Sequence, residues 1–139
     1  MAIHEIKDGD TVLARHVTAE EWGEGLKFFS ADADFIQVGI WGYDEGKELL
    51  AHAHNDVPRT FNITQETLYI RKGRIRASIY DKSLKLIDER EVGEGDIITL
   101  MYGGHGYTIL EDGTQVLEVK NGPYVGAEAD RVRFDTSKS

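Results

Sequence analysis

Arg74-Ile75-Arg76-Ala77-Ser78-Ile79-Tyr80 decides the fold class, because Ile75, Ala77 and Ile79 alternate with Arg74, Arg76 and Ser78. Successive side chains of a strand point to opposite faces, so a period of two buries one face and leaves the other in water. That pattern belongs to antiparallel sheets. Outward from it, apolar-alternating runs lie near Phe35 to Tyr43, Leu49 to His54, Thr64 to Arg71, Leu84 to Val92, Asp96 to Tyr102, Tyr107 to Glu111 and Thr114 to Lys120. Lys72-Gly73, Glu94-Gly95 and Asp112-Gly113 separate some of them with residues tolerant of positive φ, and Asp112-Gly113 is a two-residue hairpin signal. Roughly eight to ten short strands with such turns predict an all-β sandwich or barrel. Helical signal is confined to Thr18-Ala19-Glu20-Glu21, where Thr18 caps a short N-terminal segment and Glu21 reaches back as a capping box, before Gly23 and Gly25 stop it.

The chain has 139 residues, which suits one domain with its own core. Its formal charge of −9 argues against a grip on nucleic acid or anionic membrane, and no lysine or arginine cluster offsets it. Cysteine is absent, which excludes disulfides, thiolate metal sites and a cysteine nucleophile, and fits a reducing compartment. MAIHEIKDGD has neither the basic opening nor the apolar run of a signal peptide, and the apolar stretch Ile97 to Tyr102 is too short to span a bilayer. The expectation is a cytoplasmic protein.

Chemistry concentrates in Leu49-Leu50-Ala51-His52-Ala53-His54. On a strand, Leu50, His52 and His54 share one face and Leu49, Ala51 and Ala53 the other, so both faces read as buried. Two imidazoles side by side suit two nitrogen ligands of one ion; hydrogen-bonded core histidines or an exposed surface are the alternatives. Glu66 shares its strand face with Leu68 and Ile70, and His105 stands among glycines in Gly103-Gly104-His105-Gly106. Each such polar group left unpaired in an interior costs about 1–3 kcal/mol, more if charged. A divalent cation would satisfy all four.

Gly46, His52, His54, Glu66 and Gly73 together resemble the first motif of the cupin superfamily, and Gly95 through His105 resembles the second. The resemblance implies an antiparallel jelly-roll β-barrel over residues 35–120, with residues 1–34 as an N-terminal extension packing on it and residues 121–139 as a C-terminal strand and frayed tail. It also implies that His52, His54, Glu66 and His105 hold a divalent transition metal: Fe, Mn, Ni or Zn. Asn55 to Gln65 make the gap before Glu66 longer than is common in the family, which leaves Gln65 as the alternative to Glu66. Met101 stands where proline is usual, and Ile109 and Leu110 where asparagine is. Gly122-Pro123-Tyr124 and the ending that follows are similar to small cupins of surface-polysaccharide and sugar-nucleotide pathways; a plain turn is the other reading.

Two further residues are candidates for catalysis. Arg59 would clamp a carboxylate or phosphate, against the ordinary reading of a solvated loop arginine. Tyr107, on the face of His105, would donate a hydrogen bond or act as an acid, against that of a core tyrosine with its hydroxyl at the rim. Trp22 and Trp41 read as packing, His4 and His16 as surface, and Asp88-Glu89-Arg90-Glu91 as a solvated edge. The expected function is therefore a metal-binding, single-domain cupin acting on a small polar metabolite, a sugar or sugar nucleotide. Isomerase or epimerase and dioxygenase chemistry both stand open. The alternatives are a non-catalytic sensor and a metal-free sugar-nucleotide isomerase using the His pair. A homodimer suits the commonest assembly symmetry.

Overall fold

The computed structural model describes residues 2–136. It is all-β: ten strands and almost no helix. β1 (Ile3–Asp8), β2 (Thr11–Val17), β8 (Ile97–Leu100), β5 (Glu66–Lys72) and β10 (Gln115–Lys120) form a five-stranded sheet in the order β1-β2-β8-β5-β10. β7 (Leu86–Gly93), β6 (Arg74–Tyr80) and β9 (Gly104–Ile109) form a second sheet in the order β7-β6-β9, and β3 (Gly25–Phe28) pairs with β4 (Gly39–Gly42). Every pairing is antiparallel.

The core lies between the two larger sheets. Leu13, Ala14, Leu68, Ile70, Ile98 and Leu100 from the first pack against Ile75, Ala77, Ile79 and Val92 from the second in one buried cluster. Each fully buried aliphatic side chain contributes about 1.5–3 kcal/mol. On the outer face of the five-stranded sheet, Val17, Ile40 and Ile97 form a smaller cluster under the β3–β4 hairpin. Gln65 ties the loop of that hairpin to the sheet, its Oε1 accepting from the backbone N–H of Phe35 and Ile36 at 3.0 Å each.

The strand read at Arg74–Tyr80 forms with those bounds. The turns do something other than expected. β5 and β6, β7 and β8, and β9 and β10 lie in different sheets, so Lys72-Gly73, Glu94-Gly95 and Asp112-Gly113 carry the chain from one layer to the other instead of closing hairpins. Gly73 has φ +87°, and a Cβ there would collide with Thr114, so glycine is required at that crossing.

Three stretches differ from their reading. In the expected N-terminal extension, β1 and β2 belong to the five-stranded sheet, joined at Gly9-Asp10, with His16 and Ala14 buried. The expected helix is a 3-10 turn, Ala19–Glu21, whose N-cap Thr18 makes no side-chain cap bond; its buried Oγ1 has no hydrogen-bond partner. Leu49–His54 forms no strand, and Leu50 is 86% exposed. Leu-Leu-Ala-His-Ala-His holds no Val, Ile, Thr, Phe, Tyr or Trp, so strand propensity is weak, and no sheet edge among the described residues pairs with it.

After β10 the described chain carries a short helix, α1 (Ala127–Asp130), where a strand was expected. Residues 137–139 of the expected frayed tail lie outside the described residues. Trp22 and Trp41 are 44% and 57% exposed, so neither fills the core. β10 and β9 are outermost strands, unpaired on their far sides, and the sheets form an open sandwich with no closed barrel. No helix among the described residues is long and apolar enough to cross a membrane.

Candidate functional site

Strand parity assembles the site. Glu66, Leu68 and Ile70 point inward from β5, and the inward face of β9 carries His105 and Tyr107, opposite Ile79 and Ala77 of β6. The two strands come from different sheets and meet at the open side of the sandwich. There the Tyr107 hydroxyl donates to Glu66 Oε1 at 2.7 Å, and His105 Nε2 stands 2.8 Å from the same oxygen. The His105 and Tyr107 rings are 5.3 Å apart.

Burial pushes the Glu66 carboxyl up, but the hydrogen bonds from His105 and Tyr107, with the Lys120 charge nearby, outweigh it and hold it below the usual carboxylate range. It is a carboxylate at neutral pH. Burial and the facing Glu66 charge push Tyr107 far up, with Glu118 adding to it, so this phenol stays protonated and is a fixed donor. Glu118 and Lys120 escaped the sequence reading. Parity along Gln115–Lys120 is the signal that finds them, because Lys120 lies opposite Glu66, and Glu118 opposite Leu68, on the inward face.

Glu66 therefore takes the place left open between it and Gln65. Gln65 points the other way, its Oε1 on the Phe35 and Ile36 amides. His105, 33% exposed at its side chain, is within reach of solvent. With Nε2–H aimed at the carboxylate, the neutral ring carries its lone pair on Nδ1, for which no described residue supplies a hydrogen bond. An imidazole in this arrangement, oriented by a carboxylate through one nitrogen, can serve as a general base through the other.

The remaining sequence candidates stand apart. His52 and His54 are exposed, their rings 5.1 Å apart, with His52 Nδ1 3.1 Å from the Leu50 carbonyl. Arg59 is exposed in the same irregular stretch. Among the described residues no three or more His, Asp or Glu side chains are gathered closely enough to hold a metal ion. Of the four expected donors only Glu66 and His105 meet, and the carboxylate oxygen between them is already engaged by two donors. As placed among the described residues, the set does not fit an ion.

A second polar cluster was missed altogether. His16, 2% exposed, faces Asp96 Oδ2 through Nε2 at 2.9 Å and accepts at Nδ1 from Arg90 Nε and Nη2 at 3.3 and 3.2 Å. Burial is the largest influence on it and pushes its pKa down, against the raising effect of Asp96. The ring is neutral at pH 7, so Nε2–H donates to Asp96. Asp96 also accepts from the backbone N–H of Ala19 and Gly93, locking the β7–β8 crossing to the end of β2. The place of His16 in β2, on the face of Ala14, is the signal that marks it as buried.

A shallow apolar groove of about 270 Å³ lies on the outer sheet face, lined by Trp22, Val38, Ile40, Tyr69, Leu117 and Val119 among others. It is separate from the Glu66 cluster. Compared with known proteins, the chain matches no family model, no curated protein and no solved structure.

Proposed function

We propose that this chain binds a small polar metabolite, a sugar or sugar nucleotide, at the open side of the sandwich and moves a proton on it at His105. One observation carries the reading: Glu66 Oε1 accepts from both Tyr107 and His105, within 2.7 and 2.8 Å. A buried carboxylate held ionised by two neutral donors orients the imidazole. His105 Nδ1 takes a proton from the substrate and returns it to a neighbouring atom, an isomerisation or epimerisation that needs no redox partner. Tyr107, its proton committed to Glu66, is a positioning residue. A panel of sugars, sugar phosphates and sugar nucleotides tests this by binding and turnover in the native chain and Glu66→Gln. Turnover lost in Glu66→Gln is the expected result; binding without turnover turns the reading into that of a sensor.

The second reading is the metal-binding cupin jelly roll. Its support is that β9 has a free edge and that the exposed Leu49–His54 stretch has no sheet partner. Seated along that edge, the stretch would extend the three-stranded sheet and bring its His pair toward His105. When bound, an ion would supply Lewis-acid charge held by His52, His54, Glu66 and His105. Elemental analysis of protein purified without added metal tests it: stoichiometric Fe, Mn, Ni or Zn that falls in His54→Ala supports it, and none in the native chain refutes it.

A further inference from the structure

The four outermost strands of the two larger sheets are not alike. β1 carries Glu5, Lys7 and Asp8 with a bulge at Ile6/Lys7, and β7 carries Asp88, Glu89, Arg90 and Glu91. β9 has two glycines in six residues. Charges, bulges and poor strand formers are the usual devices that stop a free edge from pairing. β10, Gln115-Val116-Leu117-Glu118-Val119-Lys120, has its bulge at the first step, Gln115/Val116, and beyond it two charges of opposite sign set among Val116, Leu117 and Val119, which are 37%, 58% and 50% exposed.

The hydrogen-bond phase of the free edge follows from its neighbour. Asn121 N–H bonds to the Gln65 carbonyl on the β5 side, so residues 117, 119 and 121 turn their backbone groups toward β5, and 116, 118 and 120 turn theirs outward. A second β10, related by a two-fold axis perpendicular to the sheet, can therefore be met with 118 and 120 as hydrogen-bonded positions. The register that sets Glu118 opposite Lys120 does so twice by symmetry, with Val119 facing Val119 on the axis. The neighbouring register sets Glu118 against Glu118, a like-charge pair that opposes it.

We propose that β10 is a homodimer edge, joining two copies into a continuous ten-stranded antiparallel sheet in the Glu118–Lys120 register. An isologous contact must complement itself, and this strand does so in charge, in hydrogen-bond phase and in apolar surface. The Val119 pair on the axis, with Leu117 diagonal to it, lies at the apolar groove on the outer face. On the inward face Lys120 exchanges its distant contact with Asp130, 3.9 Å away, for Glu118 of the second copy. That strand then extends the wall beside Glu66.

Cysteine scanning tests it, because the native chain has no cysteine to interfere. In this register the two Val119 Cα atoms face each other at about 4.5 Å, inside disulfide range. The two Leu117 positions are offset by four residues, about 13 Å, outside it. Mild oxidation is expected to cross-link Val119→Cys to completion and to leave Leu117→Cys and Glu118→Cys uncross-linked. Sedimentation is expected to give twice the 15.6-kDa chain mass for the native protein. Glu118→Lys should weaken the dimer at least tenfold, and the exchange Glu118→Lys with Lys120→Glu should restore it. A native monomer at high micromolar concentration, cross-linking at 118 in place of 119, or a dimer indifferent to Glu118→Lys overturns the proposal.

Discussion

Tyr107 and Glu66 belong to different sheets, and the hydroxyl of one donates to the carboxylate of the other at 2.7 Å. That bond spans the open side of the sandwich, where no strand pairing joins β9 to β10. His105 meets the same oxygen at 2.8 Å. The three side chains thus close polar chemistry over an apolar core, and they leave one imidazole nitrogen unclaimed among the described residues.

Tyr107→Phe keeps the ring and removes the donor. A hydrogen bond to a charged acceptor is worth about 1.5–3 kcal/mol, and the partial exposure of Tyr107 places the loss near the lower end. Urea denaturation should show a loss of about 1–2 kcal/mol at pH 7. The same variant should lift the Glu66 carboxyl, because one of the two hydrogen bonds that hold it down is gone.

Glu66 also predicts an acid limb. Its folded-state pKa lies below the ordinary value of 4.5, so the unfolded chain binds a proton more readily there. The stability it contributes is present in full above pH 4.5, diminishes as pH falls below that, and is gone once pH passes under the folded-state pKa. Thermal melts across this window should show a shallower pH dependence in Glu66→Gln than in the native chain.

His16 predicts a second, separate window. Its pKa is pushed below 6.5 by burial, so the unfolded state takes up the proton first as pH falls. The stability linked to neutral His16 is present above pH 6.5 and is lost as pH falls through the folded-state value. His16→Gln should flatten this limb while leaving the carboxylate limb in place. His16→Ala should cost about 1–3 kcal/mol, because Asp96 and Arg90 lose a buried partner.

Gly73→Ala tests the crossing between the sheets. The residue sits at φ +87°, and its new Cβ would meet Thr114, which itself bonds to the Glu111 carbonyl at 2.8 Å. Left-handed backbone strain plus the collision should destabilise the chain by about 1–3 kcal/mol. Equilibrium denaturation measures it, with Gly9→Ala, where φ is +60° but nothing stands nearby, expected to cost less.

Period-two alternation was readable where one strand face is buried and the other wet, as in Arg74–Tyr80, and the same parity put Glu66 with Leu68 and His105 with Tyr107 on their faces. It failed where burial is not alternating. β2 is buried at five successive residues, Leu13 to Val17, because its outer face is covered as well: Arg15 there is buried against its cross-strand neighbour Glu5 and Asp34 of a loop, at 3.0 and 3.4 Å. The two-residue Gly9-Asp10 turn was the available signal for that hairpin. Leu49–His54 shows the converse, a strand-like alternation with no partner strand to fix it. Positive-φ glycines located turns but not which layer the chain entered next, since that depends on pairing between strands distant in sequence.

The ring nitrogens of His105 test the central claim most directly. Nitrogen-15 NMR at pH 8 should find the proton on Nε2, with Nδ1 unprotonated and its resonance moving saturably when a bound sugar or sugar nucleotide is added. In Glu66→Gln that response should be lost. A proton on Nδ1, or an Nδ1 resonance that no member of the panel moves, would contradict the account.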